Sequence, residues 1–189
     1  MTPFSPLSVA TWAWVAWFTC WFALAVFAKR SKWSEGALAR LQHVLPMAAG
    51  FLLIFHDRDH PLFWGRLYDH PAARWAGTAL ALLGLLFAVW ARLHLGRNWS
   101  GVITLKEGHR LVRSGPYRVL RHPLYTGFLS AILGTALSAA TGDAFLGFAA
   151  ILVAFLFKLR REEALLTREF GDEYVQFRRD TAALVPGVF

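Results

Sequence analysis

Five apolar runs constrain this chain more than any other feature. They cover about Leu7–Ala28, Ala37–Phe55, Trp75–Leu95, Leu124–Ala140 and Ala144–Leu159. A helix rises about 1.5 Å per residue, so about 20 apolar residues cross the hydrocarbon core of a bilayer. Inside that core every backbone amide and carbonyl must find its partner within the protein, which leaves helices or a closed barrel. Runs this long, without period-two alternation, are helical. The expected fold is an all-α polytopic membrane protein: about five transmembrane helices, with the N-terminus outside, and a cytoplasmic helical tail continuing to about Arg179. Pro46 kinks the second run. The first run has neither a basic leader nor a small-residue cleavage site, so it reads as a retained span. The turn Thr141-Gly142-Asp143 makes the last two runs an antiparallel hairpin.

Composition agrees. Hydrophobic residues make up 56% of the chain, above the 45–50% usual for soluble domains. Nine Trp and sixteen Phe suit a lipid-facing surface with interfacial anchors. The formal net charge is +8, but the cations cluster at the ends of apolar runs. Membrane lipids with anionic headgroups are therefore the expected partners of this charge, and nucleic acid is not. Cys20 is the only cysteine, so no disulfide closes within the chain.

The cations also orient the spans. Of twenty Lys and Arg, only Arg58, Arg66 and Arg74 fall in the loop between spans two and three, and none in the turn at Asp143. The others lie in the loop after span one, the bridge between spans three and four, and the tail. The positive-inside rule places that side in the cytoplasm.

Two polar segments meet on that side. The bridge from His109 to Gly127 concentrates Arg, His, Tyr, Gly and Pro between apolar runs. Gly115-Pro116 and His122-Pro123 bend it, so it is not one helix. As a bland alternative it is a basic interfacial loop. The tail reads Lys158-Leu159-Arg160-Arg161-Glu162-Glu163, then Phe170-Gly171-Asp172-Glu173-Tyr174. Its acidic pair suits a ligand's ammonium and its cations suit a carboxylate, although a solvated helix with i,i+4 pairs has the same spacing. The His and Asp residues between His56 and His70 fit no metal spacing, and no HExxH or phosphate-cradling glycine motif is present, so no metal is expected.

In order and spacing, these residues resemble the isoprenylcysteine carboxyl methyltransferase family of integral membrane enzymes, within a wider group that includes phospholipid methyltransferases. The resemblance runs from Gly96-Arg97-Asn98-Trp99-Ser100 to Pro186. It rests on His109 to Val112, Gly115-Pro116-Tyr117, Arg121 to Gly127, Glu162-Glu163 and Phe170 to Tyr174. It implies one integral membrane domain over residues 1–189, in which residues 1–95 supply three spans and residues 96–189 a cofactor-binding methyltransferase core. S-adenosyl-L-methionine is the implied methyl donor, held by His109, Leu111, Val112, Tyr117, His122, Pro123, Tyr125 and Glu162. The implied acceptor is lipophilic or prenylated and offers most readily a carboxylate, with Lys158, Arg160, Arg161 and Glu163 on the substrate side. Lys158 stands where the family has Arg, and Lys is not an equivalent bidentate clamp. No catalytic acid or base is assigned. Methyl transfer from a sulfonium is an in-line displacement that asks mainly for alignment and exclusion of water. The competing readings are a sterol-reductase-like enzyme using NADPH and a non-enzymatic scaffold or transporter.

Overall fold

The computed structural model describes residues 4–25, 31–56, 60–100, 103–106, 108 and 111–187. Each apolar run forms a helix: α1 (Pro6–Ala25), α2 (Ala37–Phe55), α3 (Pro71–Leu95), α4 (Pro123–Ala139) and α5 (Gly142–Phe170). Among the described residues, α2, α5 and the stretch Pro71–Asn98 are long and apolar enough to cross a membrane, whereas α4 is shorter. Pro71 and Pro123 each open a helix, where the missing amide costs nothing.

The tail differs from expectation. It does not continue as one helix to Arg179. Instead α5 ends at Phe170, Gly171 takes φ +54, and a separate helix, α6 (Asp172–Asp180), follows. Also unanticipated is a two-stranded antiparallel ribbon, β1 (Ser31–Ser34) with β2 (Thr104–Lys106), which joins the first loop to the bridge.

Two seams of small residues hold the helices close. On α3 and α4, Gly77 and Gly84 face Gly127 and Gly134, and the backbones approach so closely that a methyl on Gly84 would stand 2.5 Å from the Ala131 amide nitrogen. Likewise on α2 and α5, a methyl on Gly50 would stand 2.6 Å from the Gly147 carbonyl oxygen. In lipid, where helices gain no hydrophobic drive to associate, such contact is a main source of helix–helix attraction. Helix α1 crosses this assembly with Trp14 and Trp17, whose rings pack edge-to-face against Phe128 at 5.4 and 4.8 Å. The Trp14 indole N–H donates to Thr135 Oγ1 at 2.9 Å.

Opposite the bridge, Asp143 fastens the loop between α2 and α3 to the α4–α5 turn. Its carboxylate accepts from the backbone amides of Leu62 (2.7 Å), Phe63 (3.1 Å) and Trp64 (2.8 Å).

Candidate cofactor site

The bridge leaves α3 through a 3-10 turn (Gly96–Asn98) and re-enters the bundle through a second one (Gly115–Arg118). Gly115 has φ +55, and the His94 ring fills the place a side chain there would need. This turn drives Tyr117 inward, where it is 6% exposed. The chain after α6 then folds back along the bridge. The Arg121 and His122 amides donate to the carbonyls of Ala182 (2.8 Å) and Ala183 (3.1 Å), and Ala182 N–H returns to Val119 O at 3.0 Å. On the other flank, Arg113 donates to the Glu173 carbonyl at 2.9 Å and lies 5.3 Å from the Phe177 ring.

These constraints enclose a cavity of about 860 Å³, its open mouth included. Leu111, Val112, Tyr117, His122, Tyr125 and Glu162 all line it, beside Trp99, Leu124, Leu165, Leu166, Asn98 and Tyr174. Six of the eight anticipated cofactor residues thus come together from the bridge, α4 and α5. His109 lies outside the described residues. Pro123 does not line the cavity; it is fully buried at the first position of α4 and aims the residues on either side.

The two adjacent glutamates diverge. Glu162 faces the cavity and accepts from the Tyr125 hydroxyl. Glu163 turns instead to the bridge, where it accepts from Arg121 Nε at 2.7 Å and lies 3.3 Å from His122 Nε2 and 3.5 Å from Arg178 Nε. Its contacts are internal, which differs from the substrate-side position anticipated for it. The His122 and Tyr125 rings stack 5.3 Å apart. Glu163 therefore holds one wall of the cavity through His122.

Of the other substrate-side residues, Lys158 is buried with its Nζ 5.5 Å from the Tyr125 ring centre. Arg161 donates to Ala39 O at 3.1 Å and Gln42 Oε1 at 3.0 Å, reaching toward α2. Arg160 is exposed and lines no described cavity wall.

Asn98 and Tyr174 fall within motifs of the resemblance but carry no site role there. Asn98 Oδ1 and the Tyr174 hydroxyl are both buried without a hydrogen-bond partner, and both residues line the cavity. Buried polar atoms in native proteins are normally satisfied, so this pair marks a wall shaped for a polar ligand. Burial above all, and then the carboxylates of Glu163 and Glu162, raise the Tyr174 phenol; burial and then Glu162 raise that of Tyr117. Both hydroxyls stay protonated and able to donate. Arg92 packs on Trp99, its guanidinium carbon 4.5 Å from the Trp99 ring centre and 5.8 Å from that of Trp21.

A family model described as the isoprenylcysteine carboxyl methyltransferase (ICMT) family matches residues 77–168, which carry α3, the bridge, α4 and α5. Across most of the chain, 167 residues are 28% identical to a "Probable protein-S-isoprenylcysteine O-methyltransferase" of Oryza sativa subsp. indica, covering 87% of this chain and 86% of that one. The chain is similar to the isoprenylcysteine carboxyl methyltransferase family over residues 77–168. It is also similar to the protein-S-isoprenylcysteine O-methyltransferase of Schizosaccharomyces pombe, 33% identical over 107 residues, 55% of this chain and 45% of that one. The cobalt-zinc-cadmium resistance protein CzcN of Cupriavidus metallidurans is 36% identical over 129 residues, 64% of this chain and 56% of that one. In fold it is similar to the solved eukaryotic intramembrane Ras methyltransferase ICMT, with a TM-score of 0.52 at 21% identity. That match covers 83% of this chain and 55% of the solved chain, so this chain spans little more than half of that enzyme.

Methyltransferases of the ICMT family use S-adenosyl-L-methionine as methyl donor, and this chain is an integral membrane protein. The cavity suits such a donor: Glu162 offers a carboxylate for an ammonium, Asn98 and Tyr174 offer unsatisfied polar atoms, and Leu111, Val112 and Leu166 offer an apolar slot. The comparisons favour neither the NADPH-dependent reductase nor the scaffold or transporter.

Proposed function

We propose that this protein methylates the carboxylate of a prenylated or similarly lipophilic acceptor, with the donor held in the cavity between the bridge and α5. The observation that carries this reading is the convergence of Leu111, Val112, Tyr117, His122, Tyr125 and Glu162 on one cavity. These residues, with His109 and Pro123 in the same motifs, form the proposed cofactor site, placed on the 96–189 part of the chain. When bound, S-adenosyl-L-methionine supplies an electrophilic methyl group on a cationic sulfur. The chain's own part is to bind and align. Glu162 holds the donor's ammonium, the Tyr117 hydroxyl donates to the donor's carboxylate, and the aliphatic slot and Trp99 exclude water. A carboxylate acceptor arrives ionised, so no base is required, and the gain comes from orientation.

Five spans with the N-terminus outside bring the cavity to the cytoplasmic face. The segregation of Lys and Arg supports this orientation. The donor then enters from water and the acceptor laterally from lipid, past the exposed apolar side chains of α2 such as Leu41, Leu45 and Leu52.

The test is calorimetric binding of S-adenosylmethionine to the detergent-purified protein, with Glu162→Ala and Tyr117→Ala alongside. Each variant should lose about tenfold or more in affinity, the scale of one charge-assisted or buried hydrogen bond. A folded wild type that binds no S-adenosylmethionine refutes the reading.

A further inference from the structure

A second cavity opens on the α2 side of α5. It encloses about 580 Å³ with its mouth and is lined by Gln42, His43, Phe157, Lys158 and Arg161. His43 is 2% exposed, yet neither ring nitrogen makes a hydrogen bond; Nε2 lies 3.4 Å from Glu35 Oε1. Glu35 is 5% exposed. Its Oε1 accepts from the Ile103 amide at 3.1 Å, and Oε2 is buried with no partner. An imidazole and a carboxylate left unsatisfied out of water are costly, and proteins retain them where a ligand completes the set.

The position of this pair is as informative as its burial. Lys158 lines the same cavity as His43, while its Nζ lies 5.5 Å from the ring of Tyr125, whose hydroxyl is bound by Glu162 in the donor cavity. Lys158 therefore stands between the two cavities. Glu35, Gln42 and His43 lie outside the segment that matches the family, residues 77–168.

We propose that the second cavity takes the anionic head of the acceptor, with His43 bridging that head to Glu35 and Lys158 facing it from α5. The proposal rests on the methyl-transfer reading. His43 contacts the acceptor and Glu35 is a positioning residue. To donate to both carboxylates the imidazole must carry both protons, Nε2–H toward Glu35 and Nδ1–H toward the acceptor. The charged groups around it are Glu35 and Arg40 on the α2 side and Lys158 and Arg161 on α5. Acceptor binding should thus draw a proton onto His43, which a neutral head group would not do.

The probe is S-farnesylcysteine, compared with its carboxamide, in nanodiscs. Binding is followed by tryptophan fluorescence, proton uptake by calorimetry in buffers of different ionisation enthalpy, and turnover by transfer of labelled methyl. In His43→Gln, the carboxylate should bind about tenfold more weakly and its KM rise about as much, consistent with one lost charge-assisted hydrogen bond. The value of kcat should stay within about threefold, and S-adenosylmethionine affinity should be unchanged. Glu35→Gln should abolish proton uptake on binding and carries the same test if His43→Gln does not fold. The proposal is overturned if either folded variant binds S-farnesylcysteine as wild type does, if wild type binds the carboxamide equally well, or if wild type does not bind S-farnesylcysteine at all. Binding that depends on His43 without any methyl transfer would uphold the subsite and refute the carboxyl-methylation reading instead.

Discussion

Replacing Gly127 by Ala gives a sharp test of how the site is held, because two known effects have opposite signs. In an ordinary helix interior, Gly→Ala stabilises by about 1 kcal/mol. Here the added methyl would lie 2.7 Å from the Ala88 amide nitrogen, 2.7 Å from the Gly84 carbonyl oxygen and 3.0 Å from Ala88 Cα. Carbon contacts settle near 3.5–4.0 Å, so α3 and α4 must part by about 1 Å where they cross. The obstructing atoms are backbone and cannot rotate aside. Overpacking of this kind costs about 1–3 kcal/mol, and in the detergent-unfolded state, where helices persist, little propensity gain offsets it. The expected outcome is a net loss of about 2 kcal/mol in unfolding by SDS titration from mixed micelles. Gly84→Ala should cost a similar amount. Because the two glycines face each other across the seam, the double variant should lose less than the sum of the singles. Gly127 also lies two residues after Tyr125, so the shift should weaken the contact with Glu162 and lower S-adenosylmethionine affinity. A Gly127→Ala protein as stable as wild type would refute the close-approach argument, since the methyl would then have found room the packing does not provide.

Tyr174→Phe should leave the stability of the ligand-free protein unchanged or slightly higher, because it removes a buried, unpartnered hydroxyl, and should weaken S-adenosylmethionine binding about three- to tenfold. Thermal unfolding beside calorimetry separates the two effects. Asp143→Ala should cost about 1–3 kcal/mol by orphaning three loop amides while leaving donor affinity untouched, because the residue lies on the face opposite the cavity; a changed affinity would contradict that separation. Tyr117 and Tyr174 keep their protons in the folded chain above pH 10, near which exposed phenols ionise. The unfolded chain then binds fewer protons, so the stability these tyrosines contribute is present below about pH 10 and is lost as pH rises beyond it. A pH series should show alkaline destabilisation starting near pH 10 and smaller in Tyr117→Phe; onset near pH 8 would assign it to another group.

The residues that converge on the first cavity were legible because they sit in short motifs beside apolar runs, and the runs themselves dictated helices. What escaped the sequence depended on contacts between distant segments. Glu162 and Glu163 are neighbours in the chain, yet a helix turns about 100° per residue, and only the packed fold tells which faces the cavity and which faces Arg121. Asn98 and Tyr174 reach the same wall from segments some 75 residues apart, so spacing carried no sign of their meeting. The break at Gly171 interrupts a charged, amphipathic pattern that reads equally well as one helix. A ribbon as short as Ser31–Ser34 with Thr104–Lys106 has almost no signal of its own, since each strand is ordered by the other. Nothing in the second run marks His43 as paired; only the fold sets Glu35 against it.

The backbone pairing of Ala182 and Ala183 with Arg121 and His122 has a consequence for biogenesis. The wall of the cavity is completed by residues synthesised about 60 positions after those they support. Helices α1 to α5 can insert and pack as they emerge, but His122 gains its final support only once residues 182–184 have left the ribosome. A nascent chain that stops short of residue 182 is thus inserted in the membrane before this wall of the cavity is complete.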